Sequence, residues 1–326
     1  MSSFDVTVQT LKEIINQKLA ANLLRREPTS LYSPIRYLLA GGGKRLRPML
    51  VIISAEAVGG SRSVALDAAI AVELLHNFTL AHDDIMDQDD TRRGRPTVHA
   101  KWDESTAILA GDSMVALAYY TLLQTNTPYI KKLAQVFTKG IIEVCEGQAL
   151  DKDFETSASV TIDEYLTMIH KKTARLFATS CEMGAIIGQS SEEQQTALGE
   201  FGLFLGRAFQ IQDDLLDILS PEEISGKPFG SDIVQGKKTY LVLRFLQQAT
   251  SAQKKRFLVL LGKQNASTDE LNEVRTLFET TGTLNNAQAI VDDSLNHARN
   301  SLHRLPASSA RDFLEEITQR LKVRKA

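Results

Sequence analysis

Residues 64–87 read VALDAAIAVELLHNFTLAHDDIMD. Up to His82 the stretch is apolar on nearly every side at helical spacing, which predicts a helix buried all round. It then ends in carboxylates at Asp83, Asp84 and Asp87. Residues 199–219, GEFGLFLGRAFQIQDDLLDIL, have the same character and end in Asp213, Asp214 and Asp217. Two such helices need others to cover them. The eight prolines leave three long proline-free stretches, 49–95, 129–220 and 229–305, rich in Ala, Leu, Ile, Gln and Glu. That is the composition of consecutive helices. Segments 130–150 and 163–187 are more amphipathic and are expected to pack around the two apolar helices. Alternating strand patterns are absent. Turns are expected at Gly59-Gly60-Ser61, Arg93-Gly94-Arg95-Pro96, Thr125–Pro128 and Ser220–Gly236. No linker composition and no short repeat appears, so the reading is all-α, a single domain over 1–326 with roughly ten or more helices.

Composition narrows the function. The chain has 326 residues, 43% hydrophobic and 24% charged, with a net charge of −3. That balance belongs to a globular protein with a substantial core and offers no footprint for nucleic acid. Cys145 and Cys181 are too few for a disulfide framework or a thiolate metal site. The first twenty residues lack a basic segment followed by an apolar core, and no uncharged apolar run reaches the length of a membrane span. A cytoplasmic enzyme is expected.

Both acidic clusters place carboxylates at i, i+1 and i+4. On a helix, Asp83 lies above Asp87 and Asp213 above Asp217. Like charges so close are costly, and a helix C-terminus adds partial negative charge. Hard divalent cations with oxygen ligands meet that need, which makes Asp83, Asp84, Asp87, Asp213, Asp214 and Asp217 candidate Mg²⁺ ligands. Asp89 and Asp90 fall outside the pattern and are expected in a solvated loop.

Basic residues stand where a metal-bound diphosphate would need them. Gly41-Gly42-Gly43-Lys44-Arg45-Leu46-Arg47-Pro48 offers flexible backbone and three cations, although alone it is as readily a structural turn. Arg92 and Arg93 follow the first cluster; Lys171-Lys172-Thr173 lies on a helix; Lys227 and Lys237-Lys238 follow the second cluster in a Gly/Pro loop and suit phosphate. His76 is two turns before Asp83 on roughly the same face. A lone histidine on an apolar helix is more often a satisfied core residue, but this one shares the face of the acidic cluster and is assigned a phosphate or pocket contact. Gln210 precedes Asp214 by one turn. Gln148 and Asp151 are candidate supporting groups for the metal-bound substrate.

In order along the chain, GGGKRLRP, LLHNFTLAHDDIMD, RRGRPTVH, GDS, EGQALD, HKKTARLF, FQIQDDLLD and GKPFGSDIVQGKKTY resemble the motifs of the trans-isoprenyl diphosphate synthases. The resemblance spans almost the whole chain. It implies a helical bundle around a central cavity and condensation of isopentenyl diphosphate with an allylic diphosphate (dimethylallyl, geranyl or farnesyl). It further implies three Mg²⁺ held by Asp83, Asp87 and Asp213, with Asp84, Asp214 and Asp217 supporting. Arg92, Lys172, Lys227 and Lys237 would contact the allylic diphosphate, and Lys44, Arg47, His76 and Arg93 isopentenyl diphosphate. Thr173 and Gln210 would stand beside the reacting carbons with Lys172, and Asp232 matches an acidic residue of the following loop. The basic tail Lys322–Lys325 would close over the site. A homodimer is implied, with the first helix at its interface.

Product length is read from the helix before the first cluster. Phe78 is five residues before Asp83, roughly 7.5 Å along the helix, and its ring can act as a floor. Thr79 is small, Leu75 lies a turn further, and no insertion interrupts Asp83–Asp87. In the family that combination resembles synthases stopping at geranylgeranyl diphosphate (C20); farnesyl diphosphate (C15) is the alternative, then longer chains. A class I terpene cyclase would lack the GGGKRLRP loop and the second intact DDLLD. A non-catalytic synthase subunit would have lost an aspartate motif.

Overall fold

The computed structural model describes residues 2–22, 27–219 and 229–322. The described chain is helical almost throughout, and it packs as two compact units. One comprises Met1–Ile141, Thr179–Gly199 and Leu302–Glu316, the other Ile142–Ala178, Glu200–Ser301 and Ile317–Ala326. Each unit is assembled from non-contiguous segments, so no linker in the sequence separates them.

In the first unit the chain forms α1 (Ser3–Asn22), α2 (Thr29–Leu39), α3 (Leu46–Ala57) and α4 (Arg62–Met86). A short hairpin, β1 (Thr91–Arg92) and β2 (Arg95–Pro96), then leads to α5 (Val98–Lys101) and α6 (Glu104–Leu122). α4 packs on α3 and α6 and buries Ala68, Ile70, Val72, Leu74 and Leu75. By length and composition α4 could cross a membrane, but 61% of its apolar window is buried inside the protein, as in a core helix. Asp87 is its C-cap. Gln88 then takes the left-handed conformation at φ 56°, and Gln88 N donates to Ile85 O while Asp89 N donates to Asp84 O. This is the Schellman arrangement, which satisfies the carbonyls left over at a helix end.

The hairpin is the one strand pair among the described residues, Thr91 opposite Pro96 and Arg92 opposite Arg95. Its two central residues, Arg93 and Gly94, have φ of 54° and 69°, the signature of the tight turn whose twist suits a hairpin. The sequence reading placed a turn here; two flanking residues on each side are too few to show alternation.

In the second unit α7 (Ile130–Thr156) contributes its later part, followed by α8 (Ile162–Ile169). Thr161 and Glu164 cap α8 reciprocally. The expected continuous helix over 163–187 is interrupted: His170–Ala174 form a π-helical turn before α9 (Arg175–Ile187). The neighbours explain where the turn stands. A Cβ on Gly147 of α7 would lie 2.2 Å from Lys172 N. One on Gly206 of α10 (Glu192–Leu219) would lie 2.5 Å from Ala174 Cα. Two glycines therefore let the widened turn press against two helices, and π turns of this kind recur at functional sites. The rest of the unit is α11 (Ser231–Val234), α12 (Tyr240–Gln248), α13 (Ser251–Leu260), α14 (Thr268–Thr280), α15 (Thr283–Leu302) and, from Ile317 on, the end of α16 (Ser309–Lys322), whose earlier part belongs to the first unit. Phe245, Phe257 and Phe278 meet at ring-centroid distances of 4.7–5.6 Å and anchor α12–α14.

Candidate active site

In the first unit the acidic cluster is already partly neutralised by the protein. Arg92 Nε donates to Asp84 Oδ1, and its Nη2 lies 3.9 Å from Asp83 Oδ2 and 3.7 Å from Asp89 Oδ2. Asp84 is 2% exposed and Asp83 20%. Burial lifts the Asp84 carboxyl to about 6, and Arg92 only partly offsets it. Asp84 is thus turned inward onto Arg92, while Asp83 keeps contact with solvent. Asp89, expected in a solvated loop, is half-buried and shares Arg92; the tight C-cap folds it back onto its own helix.

The basic loop is held by a buried ion pair that the sequence reading did not identify. Arg45, left-handed at φ 53°, precedes α3. Its Nη1 meets Glu73 Oε1 at 2.5 Å, its Nη2 donates to Leu39 O at 2.7 Å, and its Nε donates to Asn16 Oδ1 at 3.0 Å. Asn77 Nδ2 donates to Glu73 Oε1 at 3.1 Å. A single Glu in an otherwise apolar helix signals a buried partner, but nothing in sequence spacing says which. Arg45 links α1, α2 and α4 and seats Lys44, which is exposed, and Arg47, which is half-buried.

Arg47 Nη1 lies 3.1 Å from His76 Nε2, so two of the expected isopentenyl diphosphate residues are side by side. Burial, then Arg47, Arg93, Arg92 and Arg45, hold His76 well below the ordinary imidazole range. His76 is therefore neutral at pH 7, accepts from Arg47 at Nε2 and carries its proton at Nδ1. Arg93 Nη1 donates to Gly42 O at 2.5 Å, docking the hairpin on the glycine loop. Tyr37 fastens the same hairpin: its hydroxyl donates to Pro96 O at 2.8 Å, and Arg95 and Lys101 lie 4.1 and 4.0 Å from its ring centre.

This arrangement has a pH consequence. The folded state keeps His76 unprotonated where the unfolded chain takes up a proton near pH 6.5, so its stabilisation is present above that pH and is lost as pH falls below it. His76→Gln is expected to flatten the decline in melting temperature between pH 7.5 and 5. An unchanged decline would show that other groups govern acid sensitivity.

On α4, Phe78 and His82 form an edge-to-face ring pair with centroids 4.8 Å apart, and His82 Nε2 lies 3.3 Å from Ile108 O of α6. Thr79 Oγ1 turns back to His76 O at 2.8 Å. Leu75 is buried. The floor residue expected from sequence thus has its ring orientation fixed by its neighbour one turn on.

In the second unit Thr173 Oγ1 donates to Gln210 Oε1 at 2.8 Å and Gln210 Nε2 donates to Asp214 Oδ1 at 3.0 Å. Tyr165 Oη donates to Asp214 Oδ2 at 2.5 Å. Burial, reinforced by Asp232, pushes the Asp214 carboxyl well above the usual range. Asp217 accepts from Ser231 Oγ at 2.5 Å and from Asp232 N at 3.1 Å, at the start of α11. Lys172 Nζ lies 2.6 Å from Asp151 Oδ2, with Gln148 one turn earlier on α7 and half-buried. The expected groups Lys172, Thr173, Gln210 and Asp151 are brought together. Lys237 is half-buried beside Asp232, its N donating to Asp232 O at 2.9 Å. Lys238, grouped with it as a phosphate candidate, is spent elsewhere: its ammonium donates to the carbonyls of Phe154 and Ser157 and caps the end of α7. Lys227 and residues 323–325 of the basic tail lie outside the described residues. Tyr165 and Ser231 were missed because each meets its aspartate only through tertiary packing.

Among the described residues, no three or more His, Cys, Asp or Glu side chains converge into a metal cage. The donors of each motif are nevertheless carboxylates alone. One or two carboxylates, completed by water and phosphate oxygens, are what Mg²⁺ takes, so the donor chemistry fits that ion. Cys145 is exposed and Cys181 buried, both free.

A model of the polyprenyl synthetase family matches residues 28–278. Over 255 residues the chain is 47% identical to the geranylgeranyl diphosphate synthase of Methanosarcina mazei, covering 77% of each chain. It is 40% identical over 308 residues to the short chain isoprenyl diphosphate synthase of Methanothermobacter thermautotrophicus, covering 94% of each. The crystal structure of geranylgeranyl pyrophosphate synthetase from Pyrococcus horikoshii Ot3 superimposes with a TM-score of 0.94 at 40% identity, over 99% of this chain and 100% of that one.

Proposed function

Because the chain belongs to the polyprenyl synthetase family, we propose that it is a prenyltransferase that joins isopentenyl diphosphate to allylic diphosphates. Its end product is geranylgeranyl diphosphate. The observation that supports this reading is the Arg47–His76 pair, which supplies a cation in addition to Arg92, itself paired with Asp84. A terpene cyclase needs no second diphosphate, and a regulatory subunit needs neither aspartate motif.

Mg²⁺, when bound, neutralises the charge that develops on the departing diphosphate. Asp83, Asp87 and Asp213 are the proposed ligands of three ions, with Asp217 held by Ser231 in support. Arg92, already among carboxylates, would exchange part of that pairing for the allylic diphosphate, joined by Lys172, Lys237 and Lys227. Lys44, Arg47 and Arg93 hold isopentenyl diphosphate, and neutral His76 donates from Nδ1. Departure of the diphosphate leaves an allylic cation, which the oxygens of Thr173 and Gln210 stabilise as preorganised dipoles. The double bond of isopentenyl diphosphate attacks it, and a proton leaves the new chain. No side chain here is an obvious strong base, so the released diphosphate takes that proton.

A homodimer in the cytoplasm completes the proposal. In support, α6 leaves Ile108, Leu109 and Tyr120 44–60% exposed, an apolar surface suited to a second copy. α1, by contrast, turns Leu11, Ile15 and Leu19 inward. Sedimentation at a monomer mass would remove the dimer.

Incubation with Mg²⁺, labelled isopentenyl diphosphate and C5, C10 or C15 primers tests the reading. Chromatography of the dephosphorylated products is expected to show C20 alcohol; the absence of any chain extension would sink it. Phe78→Ala is expected to shift the dominant product to C25 or beyond by removing the floor, whereas an unaltered distribution would remove Phe78 from that role.

A further inference from the structure

The line Thr173–Gln210–Asp214–Tyr165 has a direction. A carboxylate oxygen facing an amide can only accept, so Asp214 Oδ1 selects the NH₂ end of Gln210, at 3.0 Å. The carbonyl end must then face Thr173, whose one hydroxyl proton is used on it at 2.8 Å. What the two oxygens, Thr173 Oγ1 and Gln210 Oε1, have left is lone pairs, while the second N–H of Gln210 stays at its Nε2 end beside Asp214. The reversed amide would set carbonyl against carboxylate and turn N–H toward Thr173, freeing the hydroxyl proton to point elsewhere. An amide reversal of this kind is otherwise nearly neutral in shape, so the carboxylate decides it.

Tyr165 in turn decides the carboxylate. Its ring is 3% exposed, as is Asp214, and its hydroxyl takes Oδ2 at 2.5 Å. With Oδ2 engaged by a rigid aromatic group from α8, Oδ1 stays aimed at Gln210. The polarity survives either protonation state of Asp214, since a proton on Oδ2 would reverse only the Tyr165 bond. The π-helical turn lies between Tyr165 and α9 in the chain and carries Thr173.

Resting on the function proposed above, we propose that Tyr165 is a positioning residue. Through Asp214 it keeps the oxygen ends of Gln210 and Thr173 presented to the allylic cation. Asp214, despite its place in the second aspartate motif, serves that alignment and not metal binding.

The test uses the full chain, with wild type and variants assayed together over a range of Mg²⁺ and isopentenyl diphosphate. Tyr165→Phe keeps the ring and removes the hydroxyl; kcat is expected to fall about tenfold. The KM for isopentenyl diphosphate and the half-saturating Mg²⁺ concentration should stay within about twofold of wild type, because no ligand of either is touched. Thr173→Val should lower kcat too, and the double variant should be no worse than Thr173→Val alone, since both act at one point. Wild-type kcat in Tyr165→Phe, additive losses in the double variant, or a raised Mg²⁺ requirement would each overturn the proposal. Should Tyr165→Phe fail to fold, Asp214→Asn enters the same cycle. It keeps the volume but can turn an N–H toward Gln210; coupling to Thr173→Val supports the proposal and additivity overturns it. An inactive wild type would instead refute the prenyltransferase reading, which separates the two failures.

Discussion

Asp213→Ala is expected to lower kcat by about a thousandfold or more while leaving the helical circular dichroism spectrum and the melting temperature close to wild type. Asp213 is half-buried on α10, one residue before the inward-turned Asp214. The other carboxylates of its motif are held by protein: Asp214 by Tyr165 and Gln210, Asp217 by Ser231 and the Asp232 amide. Asp213 is the residue of the second motif proposed above as a metal ligand, and removing one preorganised group that stabilises departing charge costs ~10²–10³ in rate by itself. Asp83→Ala should behave alike in the first motif, where Asp84 is occupied by Arg92. Turnover in either variant within tenfold of wild type would reject the metal assignment. A fall in melting temperature of the same size as for a core substitution would show that the carboxylate is structural.

Glu73→Ala has the largest expected effect on stability, a loss of about 3–5 kcal/mol. Glu73 and Arg45 are 4% and 5% exposed and joined at 2.5 Å. Deleting the carboxylate strands a guanidinium in the interior, with Leu39 O and Asn16 Oδ1 left to receive it, and leaves Asn77 Nδ2 with the Glu73 carbonyl but without its second acceptor. The desolvation cost of that uncompensated charge, more than the lost attraction, sets the magnitude. Guanidinium chloride unfolding of Glu73→Ala should show a lower midpoint. The double variant Arg45→Met/Glu73→Leu should recover most of the loss, because it removes both charges and keeps volume. If the double variant is as unstable as the single, the pair contributes by its hydrogen bonds to α1 and α2. In either case Glu73→Ala should also raise the KM for isopentenyl diphosphate, since Arg45 seats the loop carrying Lys44 and Arg47.

What was legible in the sequence had short range. α4 and α10 were readable because apolar residues on every face of a helix leave burial as the only option, and the observed bounds extend the expected ones by a few residues. The stacking of Asp83 on Asp87 and of Asp213 on Asp217 follows from helical pitch alone. The grouping of Gln210 with Asp214, one turn apart, followed the same logic, and so did Gln148 with Asp151. Arg47 beside His76 was expected only through the resemblance, since 29 residues separate them.

What stayed hidden depends on partners far apart in the chain. The π-helical turn at His170–Ala174 exists where Gly147 and Gly206 let it press on α7 and α10; its own sequence, HKKTA, is ordinary helix. Lys238 reads like Lys237, yet one is committed to carbonyls of α7. Nothing local distinguishes Asp84 from Asp83 or Asp214 from Asp213.

Helical periodicity and motif order are properties of neighbours along the chain, and they suffice for an all-helical chain with two acidic helix ends and enough basic motifs to place it among prenyl-transferring enzymes. How the carboxylates divide their work is set by packing between distant segments. Adjacent residues on a helix point about 100° apart, and what each meets there (Arg92 for Asp84, Tyr165 and Gln210 for Asp214) comes from elements that folding alone brings into reach.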